Sequence, residues 1–155
     1  MNIRPATRAD AIAINELLGQ LGYPQDGAGA TADRIQVWAD DPALAAYVAE
    51  SAGDVLGLVA VHVAPFFQRD GSWARVVALV VSTQARRQGI ATQLMAAAES
   101  FAITQGCVRI DLNSANHRRD AHAFYQHHGY ADQTDTSTRF LRSLPQPSSY
   151  SGRGR

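Results

Sequence analysis

Residues 76–112 constrain the fold more than any other part of the chain. VVALVV, Val76 to Val81, is an unbroken apolar run. A short run without alternation reads as a strand buried on both faces. The loop STQARRQG follows, and then GIATQLMAAAESFAIT, where Ile90, Leu94, Ala97, Ala98 and Phe101 recur at helical spacing. Gly106 stops that helix. In CVRIDLNS, Val108, Ile110 and Leu112 alternate with Arg109 and Asp111, which is the period of a strand. A strand, a helix and a second strand in so short a span form a crossover. It predicts two parallel strands joined with right-handed sense.

The flanking sequence fits around this unit. MNIRPA reads as a first strand and TRADAIAINELLGQLGYP as a helix. Thr7 caps the helix, Asp10 lies in its first turn, and Gly22 and Pro24 end it. Its expected apolar face is Ile12, Leu17, Leu18 and Leu21. QDGAGA reads as a loop, and TADRIQVWADDP as a short helix capped by Thr31 and closed by Pro42. ALAAYVAES and VLGLVAVHVAPFF read as a hairpin turning at residues 52–54, and SWARVVALVVS as the next strand. RRDAHAFYQHHG reads as a helix closed by Gly129, and TSTRFLRS as a last strand. The expected fold class is α/β (α+β), with a mixed, mostly antiparallel sheet and helices on both faces. Residues 1–143 are expected to form one domain, and the Pro/Gly/Ser-rich residues 144–155 a disordered tail.

Composition excludes several function classes. The 155 residues carry 14 basic and 14 acidic groups. This balance gives no electrostatic support to nucleic-acid or membrane binding. Every basic residue is Arg and none is Lys, so a P-loop Lys or a Schiff base is unavailable. The single Cys107 permits no internal disulfide, as suits a reducing cytoplasm. No leader-like apolar segment opens the chain, and no apolar run approaches the roughly 20 residues of a membrane span. The expectation is a cytoplasmic protein with no membrane partner.

The junction QARRQGIAT, Gln84 to Thr92, carries the chemistry. The first amides of a helix lack internal partners and carry partial positive charge. Gly89 lets a ligand reach the backbone, Ala91 leaves room, and Arg86 and Arg87 add cations. Such a junction either binds a phosphate-type anion or simply caps a helix in solvent.

With its context, the junction resembles that of the GCN5-related N-acetyltransferases. Their loop has Arg or Gln, two residues, Gly, one residue, then Gly or Ala. RRQGIA fits it as Arg86, Gly89 and Ala91. AHAFYQHHGY resembles the family's later motif, and the likeness runs from about Asn2 to Leu141. The resemblance implies an acetyl-CoA-dependent N-acetyltransferase, with acetyl-CoA as co-substrate and no metal. Arg86, Arg87, Gln88, Gly89, Ile90, Ala91 and Thr92 would hold the pyrophosphate. Leu79, Val80 and Val81 would pair with the pantetheine arm. Ala121 and Phe124 would line the cofactor, with contacts from Asn113, Asn116 or Arg118. Arg118 stands where many members place an Asn, so it can reach the coenzyme's 3′-phosphate or remain solvated.

By the same resemblance Tyr125 is the general acid for the leaving thiolate. From FY alone, packing is an equal reading. Many members carry a strand Glu as base, but RVVALVV has no carboxylate. His62 is the best substitute, because an unperturbed imidazole titrates near neutrality. A buried structural His, or a water chain to solvent, are the alternatives. A non-catalytic acyl-CoA-binding module on the same fold is the competing class.

Other signals carry less. GAGATA matches a dinucleotide fingerprint but lacks the strand that must precede it. The His cluster from His117 to His128 has no i,i+4 pair consistent with a metal site, and Cys107 reads as a small packing residue. Asp111 reads as structural or surface-facing. Four Asp between Tyr23 and Asp41 suit either a cationic amine, such as an aminoglycoside or polyamine, or solvated helix ends. The acceptor is therefore expected to be an amine of a small molecule or peptide. By analogy with the family, the protein pairs as a homodimer.

Overall fold

The tight turn at Ala52 and Gly53 sets the register of the sheet. Both residues take left-handed backbone, with φ of 51° and 85°. A two-residue loop of this conformation matches the twist of the strands it joins. It links β2 (Leu44–Ser51) to β3 (Asp54–Pro65). The structure is a computed structural model that describes residues 1–113 and 119–147. The other elements are β1 (Asn2–Pro5), α1 (Ala11–Leu21), α2 (Ala28–Asp40), β4 (Ser72–Val81), α3 (Ile90–Thr104), β5 (Cys107–Leu112) and α4 (Arg119–His127).

The strands lie in the order β1-β2-β3-β4-β5. Every neighbouring pair is antiparallel except β4 with β5, which is parallel. The expected crossover through α3 is therefore present. Val48, Leu58 and Val80 lie opposite one another and pack with Ala11, Ile14, Leu17 and Ile35, so α1 and α2 cover that face. Gly57, next to Leu58, points to the other face, where a Cβ would meet Leu94 and Ile90 of α3. Helices thus cover both faces. Met1–Ser114 forms one unit holding the sheet and α1–α3, and Ala115–Arg155 forms a second holding α4.

A polar network fixes the start of the chain. The Arg4 guanidinium donates at 2.8 Å to both carboxylate oxygens of Asp10, and its Nε donates at 2.8 Å to Glu50. Asp10 also accepts the Thr7 N–H at 2.8 Å, while the Asp10 N–H donates to the Thr7 carbonyl at 2.9 Å. These bonds tie β1, the entry to α1 and β2 together. They also satisfy a carboxylate that is only 6% exposed.

Several expectations are corrected. Ile12 is 77% exposed, because α1 buries Ala11, Ile14 and Leu17 instead. Helix α2 begins at Ala28, inside the expected GAGATA loop, and Gly27 is its N-cap. Thr31 therefore lies one turn inside, buried, with its hydroxyl donating to Asn15 Oδ1 and bonding back to the Gly27 carbonyl. Val77 is 48% exposed rather than buried, because β4 bulges there: Ala60 faces Ala78, while Val61 faces Val76. Val108 is exposed too, beside a register shift in β5. TSTRFLRS is not a strand; its apolar residues Phe140 and Leu141 are exposed, and no ladder partner joins them to the five-stranded sheet.

Candidate active site

The bulge at Val77 marks where β4 loses a neighbour. β5 pairs with β4 only as far as Val76 opposite Leu112. Val77 is the bulged residue, and from Ala78 to Val81 β4 is paired with β3 alone among the described residues. The Ser82 N–H donates to the Leu56 carbonyl at 2.8 Å, so Val81 and Gly57 form a non-hydrogen-bonded pair. The peptide groups of Val81 and, two residues back, Leu79 therefore point away from β3. The peptide groups of Val80 point toward β3. A strand edge with two outward amides and two outward carbonyls can accept an extended amide-bearing chain.

That edge runs directly into the loop at residues 82–89. The Ala85 N–H donates to the Ser82 carbonyl at 2.9 Å, and Ala85 itself is buried. The Gln20 side-chain carbonyl accepts the Thr83 N–H at 3.0 Å, which anchors the loop to the end of α1. Arg87 and Gly89 take left-handed backbone, with φ of 67° and 75°. Gly89 is the N-cap of α3 and provides no side-chain acceptor, so no capping side chain covers the amides of Ile90 and Ala91. Arg86, Arg87, Gln88 and Gly89 are exposed, Ala91 is half-buried, and Ile90 is packed inward at 2% exposure. Among the described residues neither arginine has a carboxylate partner. Helix-start amides without a capping side chain, next to two exposed cations, are the chemistry that suits an anion.

The remaining candidates fall elsewhere. His62 lies on β3, half-buried, with its ring edge-on to Trp73 at 5.8 Å. Asn113 follows β5 and is exposed. Asn116 and Arg118 lie outside the described residues. Ala121, Phe124 and Tyr125 belong to α4, in the second unit, and all three are half-buried. The Tyr125 ring is edge-on to Phe124 at 5.5 Å and to Tyr130 at 6.2 Å, and its carbonyl accepts the Tyr130 N–H at 3.0 Å. Burial raises the Cys107 thiol pKa, which disfavours a thiolate nucleophile. Asp111 forms a two-point ion pair with Arg75 at 2.8 and 3.2 Å, a structural use. The acids of the α2 region are mostly engaged as well. Asp33 pairs with Arg8 at 2.9 Å, Asp40 accepts from Gln36 at 2.9 Å, and Asp41 accepts the Ala43 N–H at 2.9 Å.

A model of the acetyltransferase (GNAT) family matches residues 13–130. The chain belongs to this family. An aminoalkylphosphonate N-acetyltransferase of Salmonella typhimurium is 31% identical over 143 residues, 92% of this chain and 90% of its own. A GNAT acetyltransferase structure from Staphylococcus aureus superposes with TM-score 0.75 at 20% identity, over 92% of this chain and 98% of that one. The aminoglycoside N-acetyltransferase AAC(6')-Iy, solved with CoA, superposes with TM-score 0.76 at 17% identity, over 94% and 95%. These two likenesses establish the shared fold. As a GNAT member the chain is an acyltransferase, and the family's co-substrate is acetyl-CoA. No described helix is long and apolar enough to cross a membrane. No group of three potential metal ligands occurs among the described residues.

Sequence reasoning missed two residues that shape this GNAT site. Gln20 lies in the expected first helix, and nothing local in the sequence marks its bond to a loop 63 residues away. Gly57 is the one glycine inside the described strands. Its signal, a glycine in the interior of a strand, marks close approach of another element.

Proposed function

We propose that this GNAT protein transfers an acetyl group from acetyl-CoA to a primary amine of a small molecule or peptide. The carrying observation is the open edge of β4, with the Leu79 and Val81 peptide groups turned outward, leading into the Gly89-capped start of α3. In this reading the pantetheine amides pair along Leu79 to Val81. The pyrophosphate lies on the amides from Gly89 onward, with Arg86 and Arg87 screening its charge. The outward N–H near Val81 is suited to donate to the carbonyl oxygen as negative charge develops there. The amine nitrogen bonds to the carbonyl carbon and the carbon–sulfur bond breaks. Tyr125 donates a proton to the departing sulfur, and His62 or water takes the proton from nitrogen.

In the acidic α2 region Asp33 is already ion-paired with Arg8, which leaves Asp26, Asp40 and Asp41 as carboxylates that no cation pairs among the described residues. The relative at 31% identity is named for aminoalkylphosphonates, which are amines that carry an anion. An acceptor panel containing polyamines, aminoglycosides, amino acids and aminoalkylphosphonates, read by thiol release from acetyl-CoA, tests the reaction. CoA binding without turnover on any amine overturns it. Tyr125→Phe is expected to lower kcat about 10²-fold or more while changing the KM for acetyl-CoA little. An unchanged kcat removes Tyr125 from the chemistry.

A further inference from the structure

Beyond the α1–α2 covering, the same sheet face carries a different surface. Alternation and register put His62 of β3, Trp73 and Arg75 of β4, and Arg109 and Asp111 of β5 on it. Arg75 is committed to Asp111 and also lies 5.0 Å from the Trp73 ring centroid. The other two cations nearby are not so committed. Arg109 and Arg69 each lie 5.0 Å from the centroid of Phe66, so their guanidinium carbons are no more than twice that distance apart. Phe66 opens the β3–β4 loop, which the bond from its N–H to the Gly71 carbonyl closes at 3.0 Å. Both arginines are exposed, and among the described residues neither has a carboxylate partner. Asp70, adjacent to Arg69 in sequence, pairs with neither.

We propose that this surface receives the acceptor, with Arg69 and Arg109 binding an anionic group carried by the amine substrate. The inference rests on the transferase reading above and adds a substrate class to it. A guanidinium over an aromatic ring keeps N–H donors available for an oxyanion. The open edge of β4 starts at Val77, four residues past Trp73, or about 13 Å along a strand. Amine and anion are therefore expected to be separated by several bonds, and selectivity to grow with chain length. The unpaired cations here favour an anionic group on the acceptor.

The test uses the full chain with matched acceptors of increasing length: ω-aminoalkylphosphonates, ω-amino acids and the corresponding neutral alkylamines. The expected result is a higher kcat/KM for the anionic acceptors, with the phosphonate and carboxylate arms distinguishing which anion is used. Arg109→Ala is expected to reduce kcat/KM for the anionic acceptor at least about tenfold further than for the neutral amine. Arg69→Ala, in the exposed loop, provides the same comparison if Arg109→Ala fails to fold. No preference in the wild type, or equal losses on both acceptor types, overturns the proposal. If CoA binds but no amine is turned over, the transferase reading fails. Calorimetric titration with the phosphonate then decides this site alone: binding that Arg109→Ala weakens supports it, and absent or unchanged binding overturns it.

Discussion

Gly57 shows how little space one residue can have. A Cβ built there would lie 2.9 Å from Leu94 Cδ1, 3.0 Å from Ile90 Cγ2 and 3.2 Å from the Val80 carbonyl oxygen. Leu94 and Ile90 are almost fully buried, and the Val80 oxygen is backbone, so none of the three can yield cheaply. The glycine therefore sets how closely α3 sits on the sheet, and with it where the start of α3 lies relative to the end of β4. Gly57→Ala is expected to destabilise the protein by about 1–3 kcal/mol through overpacking. Chemical denaturation measures this. A change within about 0.5 kcal/mol, the size seen at ordinary surface sites, means that α3 shifts freely and does not fix the loop.

At the scale of elements, β1, the entry to α1, and β2 meet at the Arg4–Asp10–Glu50 network. The Arg4 hydrogen bonds hold the Asp10 carboxyl below its ordinary pKa, against the opposing effect of its burial. A depressed folded pKa means stabilisation that is complete above the ordinary value of about 4 and is lost as pH falls through the folded value. Asp10→Asn is expected to cost about 2 kcal/mol at pH 7, with the gap from wild type closing as the pH drops below about 4. A gap that stays constant from pH 7 to pH 3 shows that packing, not charge, holds this corner. The Thr7–Asp10 contact was legible because it is local, although Thr7 opens a short 3-10 turn over Arg8–Asp10 and Asp10 itself is the N-cap of α1. The crossover through α3 and the glycine loop were legible too. Val77, Ile12 and Thr31 were not. The bulge that exposes Val77 arises from how β3 and β4 pair. Ile12 differs from its buried neighbour Ala11 only by about 100° of helical turn. Thr31 has a capping side chain, but its hydroxyl is engaged by Asn15 of another helix. TSTRFLRS shows the converse: a strand-like sequence is no strand without a partner.

For the whole molecule, the parallel crossover brings strand edge, loop and helix start into one continuous path. β4 is paired with β3 on both sides of the Val77 bulge, so its other edge can be open beyond Val76 without unravelling. A ligand that binds this path only when the chain is folded must stabilise the fold by mass action. At 100 times its dissociation constant, CoA is expected to add about 2.7 kcal/mol, which raises Tm by roughly 5–10 °C for a chain of this size. The same shift separates the contributions of the loop. Arg86 is an exposed cation whose loss costs at most about 1 kcal/mol, so Arg86→Ala is expected to weaken CoA binding about two- to fivefold. Gly89 at φ 75° holds the amides in place, and a β-branched side chain there is strained even though the space around it is open. Gly89→Val is therefore expected to weaken CoA binding well over tenfold and to abolish most of the thermal shift. Measuring the CoA-induced Tm shift of both variants against their own ligand-free Tm removes any change in intrinsic stability. Equal losses in the two variants would move the anion site from the backbone amides to the arginine side chains. The start of α3 would then be a structural cap, with the two exposed arginines left to carry the charge.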